Sequence, residues 1–88
     1  MLSASTNDPR ALALAALAAT LSEEARAQRF LDLTGLDAAT LRARAGDDTT
    51  LVALLDFLEA HEPDLVAVAR AVGTSPGTLV AARREIEA

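Results

Sequence analysis

The chain contains no cysteine, no tryptophan and no tyrosine, and its only aromatic residues are Phe30 and Phe57. Without thiols it can form no disulfide, run no thiolate chemistry and hold no zinc through sulfur, and its redox compartment is left unspecified. With so few rings among 88 residues that are 51% hydrophobic, the core has to be built from Leu, Val and Ala. Such side chains favour closely approaching helices, and no stretch alternates with the period of two that a half-buried strand requires. Lysine is absent too. All eight basic residues are arginines, set against 13 acidic residues for a formal net charge of −5. That balance works against nonspecific attraction to nucleic acid or anionic membranes. Arginine in place of lysine, together with abundant alanine, is what G+C-rich codon usage produces, so no recognition role is read into it.

A chain of this length has room for one core, and small domains bury proportionally little surface, so its helices must depend on one another. Residues 11–21 form an apolar run after Arg10 of roughly signal-peptide length. However, Asp8 and Pro9 precede it, Glu23 and Glu24 follow it, and it is mostly alanine. It is too short and too weakly apolar to span a bilayer. The expectation is a mature first helix in a cytoplasmic protein, with no membrane association.

Helix-boundary residues recur along the chain. Residues 1–6 read as a flexible N-terminal tail and residues 7–88 as a single helical domain. Asn7 or Asp8 caps a first helix with Pro9 in its opening turn, where a missing N–H costs nothing. Leu14, Leu17, Ala18 and Leu21 make one apolar stripe, while Leu12, Ala15, Ala16 and Ala19 make a second, smoother face. A helix apolar on both faces is either central or part of an interface. Ser22 reads as the cap of a second helix that presents Phe30 and Leu31 and ends at Gly35. Asp37 caps a short third helix around Leu41, closed by Gly46. Asp47 or Asp48 opens the most apolar helix, in which Leu51, Val52, Leu54, Leu55, Phe57 and Leu58 cover more than half the circumference. Pro63 starts a fifth helix that ends at Gly73, and Ser75 with Pro76 starts a sixth that buries Leu79, Ala82 and Ile86. The fold class is therefore all-α: a compact orthogonal bundle of five to six short helices around a central apolar helix at about 49–61.

Catalysis needs convergent titratable groups, and few are present. The serines are Ser3 and Ser5 in the tail and Ser22 and Ser75 at predicted caps. A single histidine, His61, lies at the end of the central helix, where a cationic side chain suits the dipole. It is a weak basis for a nucleophile–base pair or a metal site. Asp47 and Asp48 lack the downstream ligands of a calcium loop. They also precede a helix as the modification motif of acyl carrier proteins does, but Asp48-Thr49-Thr50-Leu51 offers no serine to modify. Neither catalytic, cofactor-binding nor metal-binding residues are expected. Arg29, Arg42, Asp56 and Glu59 are expected in cross-helix ion pairs, which contribute little when exposed.

Two binding readings remain. Residues 66–86 read as a helix, a glycine turn and a second, serine-capped helix, similar to a helix-turn-helix regulator built from the last two helices, about 64–87. Its DNA contacts would be Thr78, Arg83 and Arg84. Pro76, Gly77 and Thr78 offer little base reading, however, and only Arg70, Arg83 and Arg84 are near to neutralise phosphates, so nucleic acid is the less favoured partner. The favoured reading is a noncatalytic protein–protein interaction module, self-associating or bound to another protein, because the doubly apolar first helix carries a surplus face. The expected contact face is Leu12, Ala16 and Ala19. The alternative is that this face packs inside the domain against the last helix.

Three stretches carry a resemblance. They are the Ala/Leu-rich opening at residues 11–17; Arg29-Phe30-Leu31-Asp32-Leu33-Thr34-Gly35-Leu36 followed by Leu41-Arg42; and Leu55-Asp56-Phe57-Leu58 leading to Glu62 and Leu65. In order and spacing the chain resembles a bacterial family known as domain of unknown function 3572. His61 stands where that pattern has an acidic residue, and Val68 where it has phenylalanine. The resemblance implies a small helical bundle and supplies no activity, ligand or catalytic residue.

Overall fold

The computed structural model of the protein describes residues 8–88. The expected tail at residues 1–6 and the choice of Asn7 as a cap lie outside the described residues. Six helices follow in order: α1 Pro9–Leu21, α2 Glu24–Thr34, α3 Ala38–Arg44, α4 Asp48–Glu59, α5 Glu62–Val72 and α6 Pro76–Glu87. The fold is all-α, and among the described residues there is no strand. No single helix there is long and apolar enough to cross a membrane.

The starts of α1, α3 and α6 are set by side chains that take up orphan backbone donors, whereas Asp47 at the start of α4 makes no such bond. Asp8 accepts from the Arg10 N–H at 3.1 Å, Asp37 from the Thr40 N–H at 2.7 Å and Ser75 from the Thr78 N–H at 3.1 Å. Pro9, Pro63 and Pro76 all fall in first turns. Thr40's N–H, bound to the Asp37 carboxylate, also holds that group below the usual carboxylate range.

Two helix ends need left-handed backbone, at Gly35 (φ 74°) and Gly73 (φ 86°). A Cβ at Gly73 would meet nothing within 4 Å, so the cost of adding one lies in the backbone alone. Gly73→Ala should therefore lower unfolding stability by roughly 1–2 kcal/mol in urea titration. An unchanged midpoint would mean that the turn can relax to a right-handed conformation.

Three boundary expectations are corrected. Ser22 does not cap α2: it closes α1, its hydroxyl donating to the Ala19 carbonyl at 2.7 Å. Glu23 is the cap instead, because its longer side chain reaches the Arg26 N–H at 2.7 Å. Gly46 supplies no left-handed turn, since α3 has already ended on Ala45 in right-handed geometry. His61 belongs less to the end of α4 than to the start of α5, where it is the exposed N-cap without a side-chain capping bond.

The core has two central helices where the sequence suggested one. α4 buries Leu51, Leu54, Leu55, Phe57 and Leu58, as its apolar circumference predicts, and Thr50 besides, while Val52 is part-buried. α1 is its equal, touching α2, α4, α5 and α6, and its widest contact is with α6. The face that α1 buries is Leu12, Ala13, Ala16, Leu17 and Thr20. Its alanines allow the α6 backbone to come close, where Leu79, Ala82 and Ile86 are buried in turn. The Thr20 hydroxyl, fully buried, donates back to the Ala16 carbonyl at 2.8 Å and so needs no outside partner. Phe30 of α2 meets Phe57 of α4 edge-on, with ring centroids 5.3 Å apart and planes inclined at 66°.

Candidate functional site

The expected contact face is corrected by this packing. Leu12 is 4% exposed and Ala16 is wholly buried, while Ala19 is half-buried against the same core. These residues are the inner surface of α1, covered by the rest of the domain, and no second protein can reach Leu12 or Ala16 in the folded state. The alternative reading of this face, that it packs inside the domain against the last helix, is the one the packing bears out. Of the other stripe, Leu14 is 45% and Leu21 38% exposed, and only Leu17 is buried.

The outward stripe of α1 forms one wall of an open apolar groove of about 340 Å³. Leu17 and Leu41 make its floor, and Leu14, Ala18 and Leu21 its α1 side. Leu31 of α2 contributes, and Ala38, Arg42 and Ala45 form the opposite lip on and just after α3. α3 is short and buries only Leu41, so it leaves the outer side of α1 partly uncovered. Every lining residue except Arg42 is aliphatic. The groove therefore has no acid, base or nucleophile with which to do chemistry, and what it can do is exclude water from another aliphatic surface.

Several polar groups elsewhere tie helices together. Asp64, only 6% exposed at the start of α5, accepts from Arg26 at 3.1 Å and from Arg29, both on α2. Burial pushes the Asp64 carboxyl up, but the hydrogen bonds and charges of Arg29 and Arg26 outweigh it, so the group titrates below the usual carboxylate range. Arg10 grips Asp48 with two bonds of 2.7 and 2.8 Å, tying the start of α1 to the start of α4. That contact lowers Asp48 and raises Arg10. Of the residues expected in ion pairs, Arg29 pairs with Asp64, and Asp56 and Glu59 both pair with Arg83. Arg42 has no ion-pair partner among the described residues.

The proposed DNA contacts are separated by this network. α5 and α6 do cross at 93°, an angle within the helix-turn-helix range. Thr78 is exposed, but its hydroxyl lies 2.8 Å from that of Ser75 at the cap. Arg83 is drawn inward by Glu59, by Glu87 at 2.6 Å and by Asp56 at 3.3 Å, and the hydrogen bond it donates to Glu59 leads the effects that raise its pKa. Of the three, Arg84 alone is an exposed arginine without an ion pair among the described residues. A second cleft, about 380 Å³ between α4 and α6, has Val52 and Ile86 among its lining. Its charged residues are Asp48, Asp56 and Glu87, all already bound to Arg10 or Arg83. Among the described residues no three His, Asp or Glu side chains are grouped to hold a metal ion.

Sequence comparison adds a family. Residues 6–88 match the family described as "Protein of unknown function (DUF3572)". No curated protein and no solved structure matches the chain significantly.

Proposed function

Because the chain belongs to the family described as "Protein of unknown function (DUF3572)", whose description assigns no chemistry, we propose from the geometry that it is a noncatalytic protein–protein interaction module. Its role would be that of an adaptor or regulator in the bacterial cytoplasm, and its contact surface the groove between α1, α2 and α3. The observation that carries this reading is the exposure of Leu14 and Leu21 along the rim of an all-aliphatic depression in so acidic a protein. Scattered exposed leucines are ordinary, but leucines continuous with a shaped apolar groove mark a surface that gains by being covered. The surface that the sequence suggested for this role was the opposite face of the same helix.

The test is affinity capture from the native lysate with wild type and with Leu14→Glu/Leu21→Glu. Both changes lie outside the core, so the fold should persist by circular dichroism. The expected result is a specific protein retained by wild type and lost from the variant. Identical retained sets would sink the groove as the contact surface.

A second reading is favoured by one feature, the 93° crossing of α5 and α6 around Gly73. As a DNA-binding unit it would lean on Arg84, because Arg83 would have to leave three carboxylates to reach a phosphate. Titrating labelled genomic fragments at low salt tests it. A shift abolished by Arg84→Ala supports it, and the absence of any shift ends it.

A further inference from the structure

We infer that residues 22–47, which hold α2 and α3, form a strap that opens as one unit while α1, α4, α5 and α6 stay folded. The inference goes beyond the interaction-module reading, because it concerns the isolated chain and stands whether or not the groove is ever covered.

The other four helices close on one another without the strap. Every pairing among α1, α4, α5 and α6 is a direct packing contact, with α1 against α6 the widest. On the same scale α2 packs on α1 and α4 alone, and α3 makes no comparable contact with any helix. Burial divides the chain in the same way. α2 buries only Phe30 and α3 only Leu41, whereas α1 and α4 each bury a full face. Leu31, Leu36 and Ala45 add partly covered contacts. The polar attachment to the rest is Arg26 and Arg29 on Asp64 of α5. Glu23, Gln28, Thr34 and Asp37 spend their hydrogen bonds inside the strap. A segment with so little buried apolar surface lies at the low end of local stability.

α2 and α3 depend on each other. α3 has seven residues, too few to persist as a helix by itself. Leu31 and Leu41 line the same groove, so the loss of α2 strips cover from the one buried residue of α3.

The part that stays folded also fixes both ends of the strap. The strap leaves the last turn of α1 and ends at Asp48, which Arg10 holds beside the first turn of α1. With 13 residues in α1, the ends lie about 20 Å apart at ~1.5 Å per residue. The unfolded segment spans that without strain, since an extended chain reaches ~3.3 Å per residue. Opening therefore leaves the Arg10–Asp48 pair in place. It uncovers Phe57, which loses its ring partner, and Leu17, which lies beside Leu41 in the groove. The strap is thus a cover over an apolar face of α1 and α4.

Native-state hydrogen exchange of the full chain, read amide by amide by NMR across a sub-denaturing guanidinium series, tests this. Amides of α2 and α3 should share one opening equilibrium, on the order of a hundredfold more frequent than that of the slowest amides in α1, α4 and α6. Two variants separate the strap from the rest. Ile86→Val trims the buried side of α6 equally in the closed and strap-open forms. It should speed the slow set about fivefold and leave the strap amides unchanged. Asp64→Asn weakens the closed form alone, so it should speed both sets by the same factor, about tenfold. Strap amides that exchange only with the slow set, that follow Ile86→Val, or that divide into separate openings of α2 and α3 would each overturn the proposal.

Discussion

Phe30→Ala is expected to be the most damaging single substitution in the protein, lowering unfolding stability by about 3–5 kcal/mol. Phe30 is wholly buried and belongs to the only aromatic pair that the composition allows. α2 buries no other residue, so its attachment to the rest of the bundle runs largely through that one ring and the Asp64 contacts. A chain of this size is held by roughly 4–12 kcal/mol in all. The variant should therefore be partly unfolded at 37 °C, with a thermal midpoint lowered by more than 10 °C in calorimetry. Leu33→Ala on the same helix serves as the contrast. Leu33 is 70% exposed, and its removal should change stability by less than about 0.5 kcal/mol. Equal effects at the two positions would mean that α2 is not anchored through Phe30.

The second large effect is expected at Asp64. Replacing it with alanine leaves Arg26, which is only 17% exposed at its side chain, without its carboxylate partner. The expected loss is about 2–3 kcal/mol, below the ~3–5 kcal/mol of a fully buried pair because Arg29 is half exposed and keeps its water. Removing one partner is costly mainly through the charge left behind, so Asp64→Asn, which keeps a hydrogen-bond acceptor, should lose less than Asp64→Ala. The pH dependence follows from the sign of the shift. Asp64 has a lowered pKa when folded, so its contribution is fully present above the unfolded value of about 3.9 and fades as pH falls through the lower folded value. Wild-type stability should therefore drop on acidification below about pH 4, and the slope in that window should be shallower for Asp64→Asn. Slopes that coincide would show that Asp64 binds its proton equally well in the folded and unfolded chain.

Much of this architecture was readable from side chains that act locally. The caps Asp8, Asp37 and Ser75, the first-turn prolines and the left-handed Gly35 and Gly73 do their work within a turn of themselves, so position along the chain is enough to place them. α4 was readable because its apolar residues cover most of its circumference and any packing buries them. α1 was not, because both of its faces are apolar, and which one turns inward depends on where α6 arrives more than sixty residues later. Spacing alone left both faces open. The alanine-rich face was the inner one because small side chains allow the closest helix approach, and Thr20, which satisfies itself on the Ala16 carbonyl, could follow it into the core. Ser22 was misplaced by a smaller competition: Glu23 could reach the orphan N–H from one position nearer the helix.

The site shows the same division. The aliphatic character of the groove was legible in the composition, since aliphatic side chains make up most of the chain's apolar content. The position of the groove was not, because it exists only where α3 is too short to cover α1. Arg83 differs locally from Arg84 only in having Glu87 four residues on, and the arrival of Glu59 and Asp56 from α4 adds two more carboxylates that sequence alone does not place.

The central claim is that the outer face of α1, and no other apolar patch, is where this protein is touched. It is tested most directly by placing a photo-crosslinking phenylalanine derivative at Leu14 and, separately, at Val66 on α5. Leu14 is 45% and Val66 36% exposed, so the two positions differ in location far more than in accessibility. Illumination in living cells should give discrete adducts, to the same chain or to one other protein, from position 14 and none from position 66. Adducts from position 66 with none from position 14 would contradict the account.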